Sequence, residues 1–170
     1  MATPSSRAAV RMSDAEVDAF LAARLKLQVG TIGPDGAPHL TTLFYVWDAG
    51  RIGFWTYGRS QKIRNLERDP RISCLVEDGD DYFALRGVSI RGTAELVRDP
   101  DRLRAIGASV AMRMLGVDDP EALGEAGRAE VERQARKRVG VLVTPQHVAT
   151  WDHRKMLAGD TGRPEQQREG

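Results

Sequence analysis

The stretch LQVGTIGPDGAPHLTTLFYVWDAGRIGFWTYG, Leu27–Gly58, decides the fold. Leu27–Gly33 reads as a short apolar strand. Gly33-Pro34-Asp35-Gly36 then reverses the chain, with Pro at the position of fixed φ and Gly where φ turns positive. Leu40–Trp47 is apolar on both faces and rich in Thr and aromatics, which predicts a buried strand. Asp48-Ala49-Gly50 is a second turn, and Arg51–Tyr57 a third strand. Three strands joined by tight turns make an antiparallel meander.

Upstream, Ser13 followed three residues later by Glu16 is a capping box. It opens a helix with Val17, Phe20, Leu21 and Leu25 on one face. Downstream, Ser60–Arg68 is a short helix that ends before Pro70. Arg71–Val76 is a further strand, and Glu77–Asp81 an acidic loop. In Tyr82–Val97 the apolar residues change parity, from Phe83 and Leu85 to Val88, Ile90, Ala94 and Leu96. A strand has period two, so the switch predicts a β-bulge or bend at Arg86-Gly87. Asp99-Pro100 and Asp119-Pro120 are N-cap signals. They open helices over 100–115, with Leu103, Ile106, Val110 and Met114 inward, and over 120–137, which is mostly polar. Val139–Val143, interrupted at Pro145 and resumed at His147–Trp151, closes the chain. The expected class is mainly β with flanking helices, an antiparallel barrel of six or more strands. Residues 1–12 are expected to be a flexible start, 13–157 a single domain and 158–170 a disordered tail.

Composition removes whole classes. The chain has 170 residues, 25 Lys and Arg against 24 Asp and Glu, and one cysteine. A net charge of +1 argues against a dedicated nucleic-acid binder, which carries a strong basic excess. One cysteine allows neither an intrachain disulfide nor a multi-cysteine zinc site. No run approaches the ~20 apolar residues of a membrane span, and the amino terminus lacks the apolar core of a secretory signal. No membrane partner and a cytoplasmic location are expected.

The charge is unevenly spread. Residues 51–72 hold six basic and two acidic side chains. At the centre of that segment, Phe54–Leu66 reads as strand, Gly-containing turn and helix start. Free backbone N–H groups, the positive end of the helix dipole, the hydroxyls of Thr56 and Ser60, and the Lys62 ammonium would meet there, which suits a phosphate. Lysine in a first helical turn is otherwise unfavourable, and an anion would remove the conflict. The plainer alternative is that Ser60 only caps its helix while Arg59, Arg64 and Arg68 are solvated. His39, His147 and His153 lack metal-ligand spacing, so no metal is expected. Cys74, inside a strand, reads as a small buried apolar residue.

These residues carry a resemblance. Phe54-Trp55-Thr56…Ser60-x-Lys62, lying between a meander and a strand that starts at Pro70-Arg71, resembles the pyridoxamine 5′-phosphate oxidase superfamily of split β-barrels, which bind flavin-type cofactors. Gly33-Pro34-Asp35-Gly36-x-Pro38-His39, Lys62-x-x-Asn65-Leu66…Arg68-Asp69-Pro70-Arg71 and Arg91-Gly92-Thr93-Ala94-Glu95-Leu96-Val97 are similar to its actinobacterial branch, many members of which use the deazaflavin coenzyme F420. The resemblance implies a homodimer with two cofactor sites at the interface. Thr56, Ser60 and Lys62 would hold the cofactor phosphate, with Asn65, Arg59 and Gln61 nearby. The ring would lie against the backbone of Thr41, Thr42 and Leu43. The partner chain would contribute Gly87 and Trp151. The family's FMN oxidases commonly carry Arg, Lys and Gln where this chain has Leu40, Tyr45 and Gly87, so coenzyme F420 is expected rather than FMN. The implied activity is hydride transfer between the deazaflavin and an unsaturated or conjugated small molecule, the proton coming from water, Tyr45 or His39. Two alternatives are an FMN-dependent reductase or oxidase and a non-enzymatic binder of a cofactor or tetrapyrrole.

Overall fold

Seven antiparallel strands form one sheet in the order β2-β1-β5-β6-β7-β4-β3. In chain order the elements are α1 (Ser6–Ala9), α2 (Asp14–Ala23), β1 (Lys26–Ile32), β2 (Pro38–Phe44), β3 (Val46–Asp48), β4 (Arg51–Tyr57), α3 (Gln61–Arg68), β5 (Arg71–Asp78), β6 (Arg86–Val97), α4 (Pro100–Leu115), a 3-10 turn (Pro120–Leu123), α5 (Gly124–Ala135), β7 (Arg138–Asp152) and α6 (Arg154–Ala158). The computed structural model describes residues 6–158. Residues 1–5 of the start expected to be flexible (1–12), and 159–170 of the tail expected to be disordered (158–170), lie outside the described residues.

The two edge strands of this sheet are consecutive in the chain, separated by Tyr45 alone. β2 pairs with β1 on one side, and β3 pairs with β4 on the other. The sheet therefore curls until one bent segment supplies both of its edges, which makes a split barrel with helices flanking it. The two expected hairpins are present, but the single strand Leu40–Trp47 is two strands on opposite edges of the sheet, so the three expected strands do not lie side by side as a meander. Nor is the first half of Leu40–Trp47 buried. β2 alternates between exposed and half-buried positions, and Leu40 is 73% exposed. An aliphatic, Thr-rich run reads as interior whether protein or nothing covers it; here, among the described residues, no element lies over its outer face.

Local signals set the element ends. Ser13 Oγ accepts from the backbone N–H of Glu16 at 3.3 Å while the Glu16 carboxylate accepts from that of Ser13 at 2.7 Å, completing the capping box. Gly36 has φ +84°, as its turn demands. The inner faces of the strands close over Leu27, Val29, Ile52, Phe54, Val76, Val88, Ile90, Val141 and Val143. Ile63 and Leu66 of α3 and Leu21 of α2 cover the core from its ends. In α4, Leu103, Ile106 and Val110 face inward as expected, but Met114 is 53% exposed, being in the last turn where the helix runs past the sheet.

Three further expectations are corrected. The order begins before residue 13: Val10 and Met12 are buried, the Met12 N–H donates to Thr150 Oγ1 at 3.0 Å, and the Asp152 N–H donates to the Val10 carbonyl at 2.7 Å. Second, β6 starts only at Arg86, because Phe83 and Leu85 belong to the turn before it. The parity change at Arg86-Gly87 is thus the start of the strand and not a bulge. The irregularity lies further on, where Arg91 pairs with His147 but Gly92 with Pro145, leaving Gln146 as an extra residue in β7. Third, β7 is continuous through Pro145, which sits at this bulge, and the polar helix expected over 120–137 divides into a 3-10 turn and α5, ending at Ala135.

Candidate functional site: the β4–α3 turn

β4 delivers Thr56 to the interior face, where it is buried. The chain turns over Tyr57–Ser60, with the Ser60 N–H donating to the Tyr57 carbonyl at 3.0 Å and the Gly58 N–H to Lys137 O at 2.9 Å. α3 then starts with Ser60 in the extended N-cap conformation (φ −70°, ψ 154°), yet its hydroxyl caps nothing. Ser60 Oγ is buried and has no hydrogen-bond partner. This removes the plainer reading of Ser60 as a helix cap. A buried hydroxyl left unpaired costs about 1–3 kcal/mol unless a ligand completes it.

Lys62 lies in the first turn, its ammonium 3.3 Å from Thr56 Oγ1. No carboxylate pairs with it among the described residues, and burial holds its pKa below the ordinary lysine value. A partly desolvated cation in the first turn of a helix whose N-cap hydroxyl is buried and unpaired is an arrangement that suits an anion. Arg59 is exposed. Gln61 is exposed and donates to Asn65 Oδ1 at 2.8 Å, and Asn65 Nδ2 donates to Thr31 Oγ1 at 3.0 Å. Asn65 is 0% exposed with both ends of its amide engaged inside the protein. It braces α3 against β1 and presents no free group to a ligand.

The two halves of the expected site meet on β1. Val29 pairs with Thr41 and Leu27 with Leu43, so Thr31, two residues beyond Val29, shares the inner face with Thr41. Thr41 Oγ1 is a second buried hydroxyl without a partner. Thr42 points to the outer face. Gly87 and Trp151 pair with each other across β6 and β7, but they lie at the far end of β6 from α3, about six residues or roughly 20 Å of extended chain from Thr93 beside Arg71. Within one chain they do not join the turn. Gly87 is required there by its neighbour, since a Cβ would overlap the Trp151 ring.

Tyr45, one of the expected proton sources, is excluded from that role. Its side chain is fully buried, its hydroxyl donates to Leu21 O at 2.7 Å, and burial pushes its pKa up to about 12. Sequence reasoning missed Thr31, whose role depends on Asn65 from 34 residues away. It also missed Lys137 and Arg138. The Arg138 guanidinium lies 4.8 and 4.9 Å from the Tyr57 and Trp55 ring centres, and the Lys137 ammonium 5.6 Å from that of Tyr57, which adds positive charge beside the turn. The run Arg136-Lys137-Arg138 was the available signal.

The chain is 41% identical to the conserved hypothetical protein Rv2991 of Mycobacterium tuberculosis, with 96% of each chain covered and a TM-score of 0.81. It is 26% identical to an F420 reductase over 78% of this chain and 94% of that one, with a TM-score of 0.58. An FAD-binding protein of Mesorhizobium loti shares the fold at 18% identity, 82% and 94% coverage and a TM-score of 0.59. No curated protein matches the chain. The model of the pyridoxamine 5′-phosphate oxidase family matches residues 13–152. With the split barrel already established, the chain belongs to the pyridoxamine 5′-phosphate oxidase family, among flavin- and F420-binding oxidoreductase-like proteins.

Proposed function

We propose that the protein is an oxidoreductase that transfers a hydride between coenzyme F420 and an unsaturated or conjugated small molecule. The observation that carries this reading is the unpaired, buried Ser60 hydroxyl at the N-cap of the helix whose first turn carries Lys62, a lysine with no carboxylate partner among the described residues. The group such a site lacks is an anion, and a cofactor phosphate meets the chemistry of both donors. Thr56, Ser60 and Lys62 hold that phosphate, with Arg59 at the rim. The Thr41–Leu43 backbone of β2 supports the ring, and the free Thr41 hydroxyl is a donor toward it. When bound and reduced, the deazaflavin supplies the hydride, and the acceptor takes its proton from water. What the chain contributes is orientation of the two reactants and exclusion of solvent. The F420 reductase among the similar structures, and the absence of basic groups at Leu40 and Tyr45, favour F420 over FMN.

The outer face of β2 supports a homodimer in the same reading. Leu40 and Phe44 stand exposed on it, next to a surface of small side chains: Gly30, Ser73, Ser89 and Ala149. A second copy would cover this face and bring its own Gly87 and Trp151 toward the site. In the cytoplasm the lone thiol, Cys74, stays reduced. The test is a fluorescence titration of the purified protein with F420 and with FMN. Tight F420 binding supports the proposal, preference for FMN moves the reaction to the flavin class, and no binding of either overturns it.

A further inference from the structure

The outside of the barrel is divided between two covers. Around β2 it is the face given above to a second copy, whereas the chain's own α4 lies over β4 and the first half of β7. The contact is close: a Cβ on Gly107 of α4 would overlap the Trp55 ring. α5 packs beside α4, and between the two helices and the start of β7 lies a cleft of about 340 Å³. Its polar lining is Arg98, Arg104, Arg136, Arg138 and Glu132, and Leu103 and Val139 supply apolar surface. Trp55 and Tyr57 point outward beside this cleft, while Thr56, between them on β4, is buried on the inner face. The cleft and the phosphate-binding turn therefore lie on opposite sides of the strand.

The arginines of the cleft fall into two pairs. Arg98 is neutralised by Glu67, and Arg104 by Asp101 and by Glu132, the latter at 3.4 Å. Arg136 and Arg138 have no carboxylate partner among the described residues. Arg138 is nevertheless held in place. Its guanidinium lies 4.9 and 4.8 Å from the Trp55 and Tyr57 ring centres, and its Nε donates to Gln134 Oε1 at 3.2 Å. Stacking and a neutral amide fix the plane of the group without compensating its charge. Its two terminal nitrogens bond no acceptor among the described residues, which leaves the fork ready for an oxyanion. Two uncompensated cations call for two negative charges. A phosphate monoester carries close to two at neutral pH, and a carboxylate only one.

We infer that the α4–α5 cleft binds a small phosphate monoester, with the phosphate on Arg136 and Arg138 and the apolar part of the ester against Leu103 and Val139. This site is additional to the oxidoreductase reading and does not depend on it.

The probes are phenyl phosphate, benzoate and phenol, each titrated into the full chain by calorimetry. Phenyl phosphate is expected to bind about tenfold tighter than benzoate or more, and phenol not at all. Arg136→Gln and Arg138→Gln are each expected to weaken phenyl phosphate by about tenfold or more. Arg128→Gln, the same charge change elsewhere on α5, should leave the affinity unchanged, as should Lys62→Ala at the β4–α3 turn. A thermal melt shows whether each variant is folded, and Arg136→Gln, at an exposed position after α5, decides the matter if Arg138→Gln does not fold. Equal affinity for phenyl phosphate and benzoate, full affinity in Arg136→Gln, or an equal loss in Arg128→Gln overturns the assignment. Loss of binding in Lys62→Ala overturns it too, by putting the phosphate at the β4–α3 turn. Displacement of phenyl phosphate by F420 would merge the cleft with the cofactor site and overturn it as a separate one.

Discussion

The hydroxyl of Tyr45 donates to the carbonyl oxygen of Leu21 at 2.7 Å, tying the last turn of α2 to the single residue at which the sheet closes on itself. The carbonyls at a helix C-terminus have no partners within the helix. Here Tyr45 takes one, and Arg113 of α4, whose guanidinium lies 4.9 Å from the Tyr45 ring centre, donates to those of Leu21, Ala22 and Arg24. One cation and one phenol thus join α2, α4 and the barrel seam.

Tyr45→Phe is expected to cost about 1–2 kcal/mol in urea unfolding, the value of a buried hydrogen bond lost with its acceptor left in place. It should also alter the alkaline limit. The folded phenol titrates near about 12, above the ordinary 10.0, so the unfolded chain releases this proton first. The contribution is complete below the unfolded pKa and is lost as pH rises through the interval from 10.0 to about 12. Urea curves taken across that interval should converge for wild type and Tyr45→Phe; parallel curves would show that this phenol does not control alkaline unfolding.

Lys62→Ala is expected to weaken F420 binding by ~1.5–3 kcal/mol, the worth of a charge-assisted hydrogen bond. The melting temperature should stay level or rise slightly, because a partly buried cation is removed from the positive end of a helix. Fluorescence titration and a thermal melt on the same preparation check both parts. A large drop in stability with binding intact would make Lys62 a structural residue.

Thr31→Val and Asn65→Ala test the brace under α3. Each leaves a buried polar group unpaired, which costs about 1–3 kcal/mol. Because the two residues share one bond, the double variant should lose less than the sum of the singles. Strict additivity in chemical denaturation would mean that the bond contributes nothing.

Gly87→Ala is expected to destabilise by ~1–3 kcal/mol through overlap with the Trp151 ring. Trp151→Ala should rescue part of that loss in the double variant, whereas a backbone requirement at Gly87 would leave it unrescued. Denaturant midpoints for the four proteins of the cycle decide between the two.

Cys74 is 2% exposed and burial pushes its thiol up to about 12. In the native protein it should resist a disulfide-exchange reagent at neutral pH and react promptly once urea unfolds the chain. Fast native-state reaction would place the thiol outside the core.

Much of the molecule was legible in one dimension. The Ser13–Glu16 box, the turn at Gly36 and the N-cap at Asp99 are each specified by residues within four positions of one another, and the strand–turn–helix from Phe54 to Leu66 by one continuous segment. Local sterics and hydrogen bonds suffice for them, so they were found where expected. The candidate phosphate site was legible for the same reason: Thr56, Ser60 and Lys62 lie on one short segment.

The rest depended on partners brought from a distance. The periodicity of Leu40–Trp47 cannot reveal that Tyr45 splits it, because the break comes from β1 and β4 claiming opposite ends of the same strand. The bulge belongs to Gln146 because β6 sets the register of β7, whereas the parity change at Arg86 had a local cause. That Ser60 leaves its helix uncapped, that Asn65 is spent on Thr31, and that Arg91 faces His147 are results of packing. The sequence by itself determined the locally signalled caps and turns, most of the elements and the residues of the β4–α3 turn, through short-range interactions. Only the tertiary structure decided which polar groups remain without partners, because that depends on every strand and helix being in place.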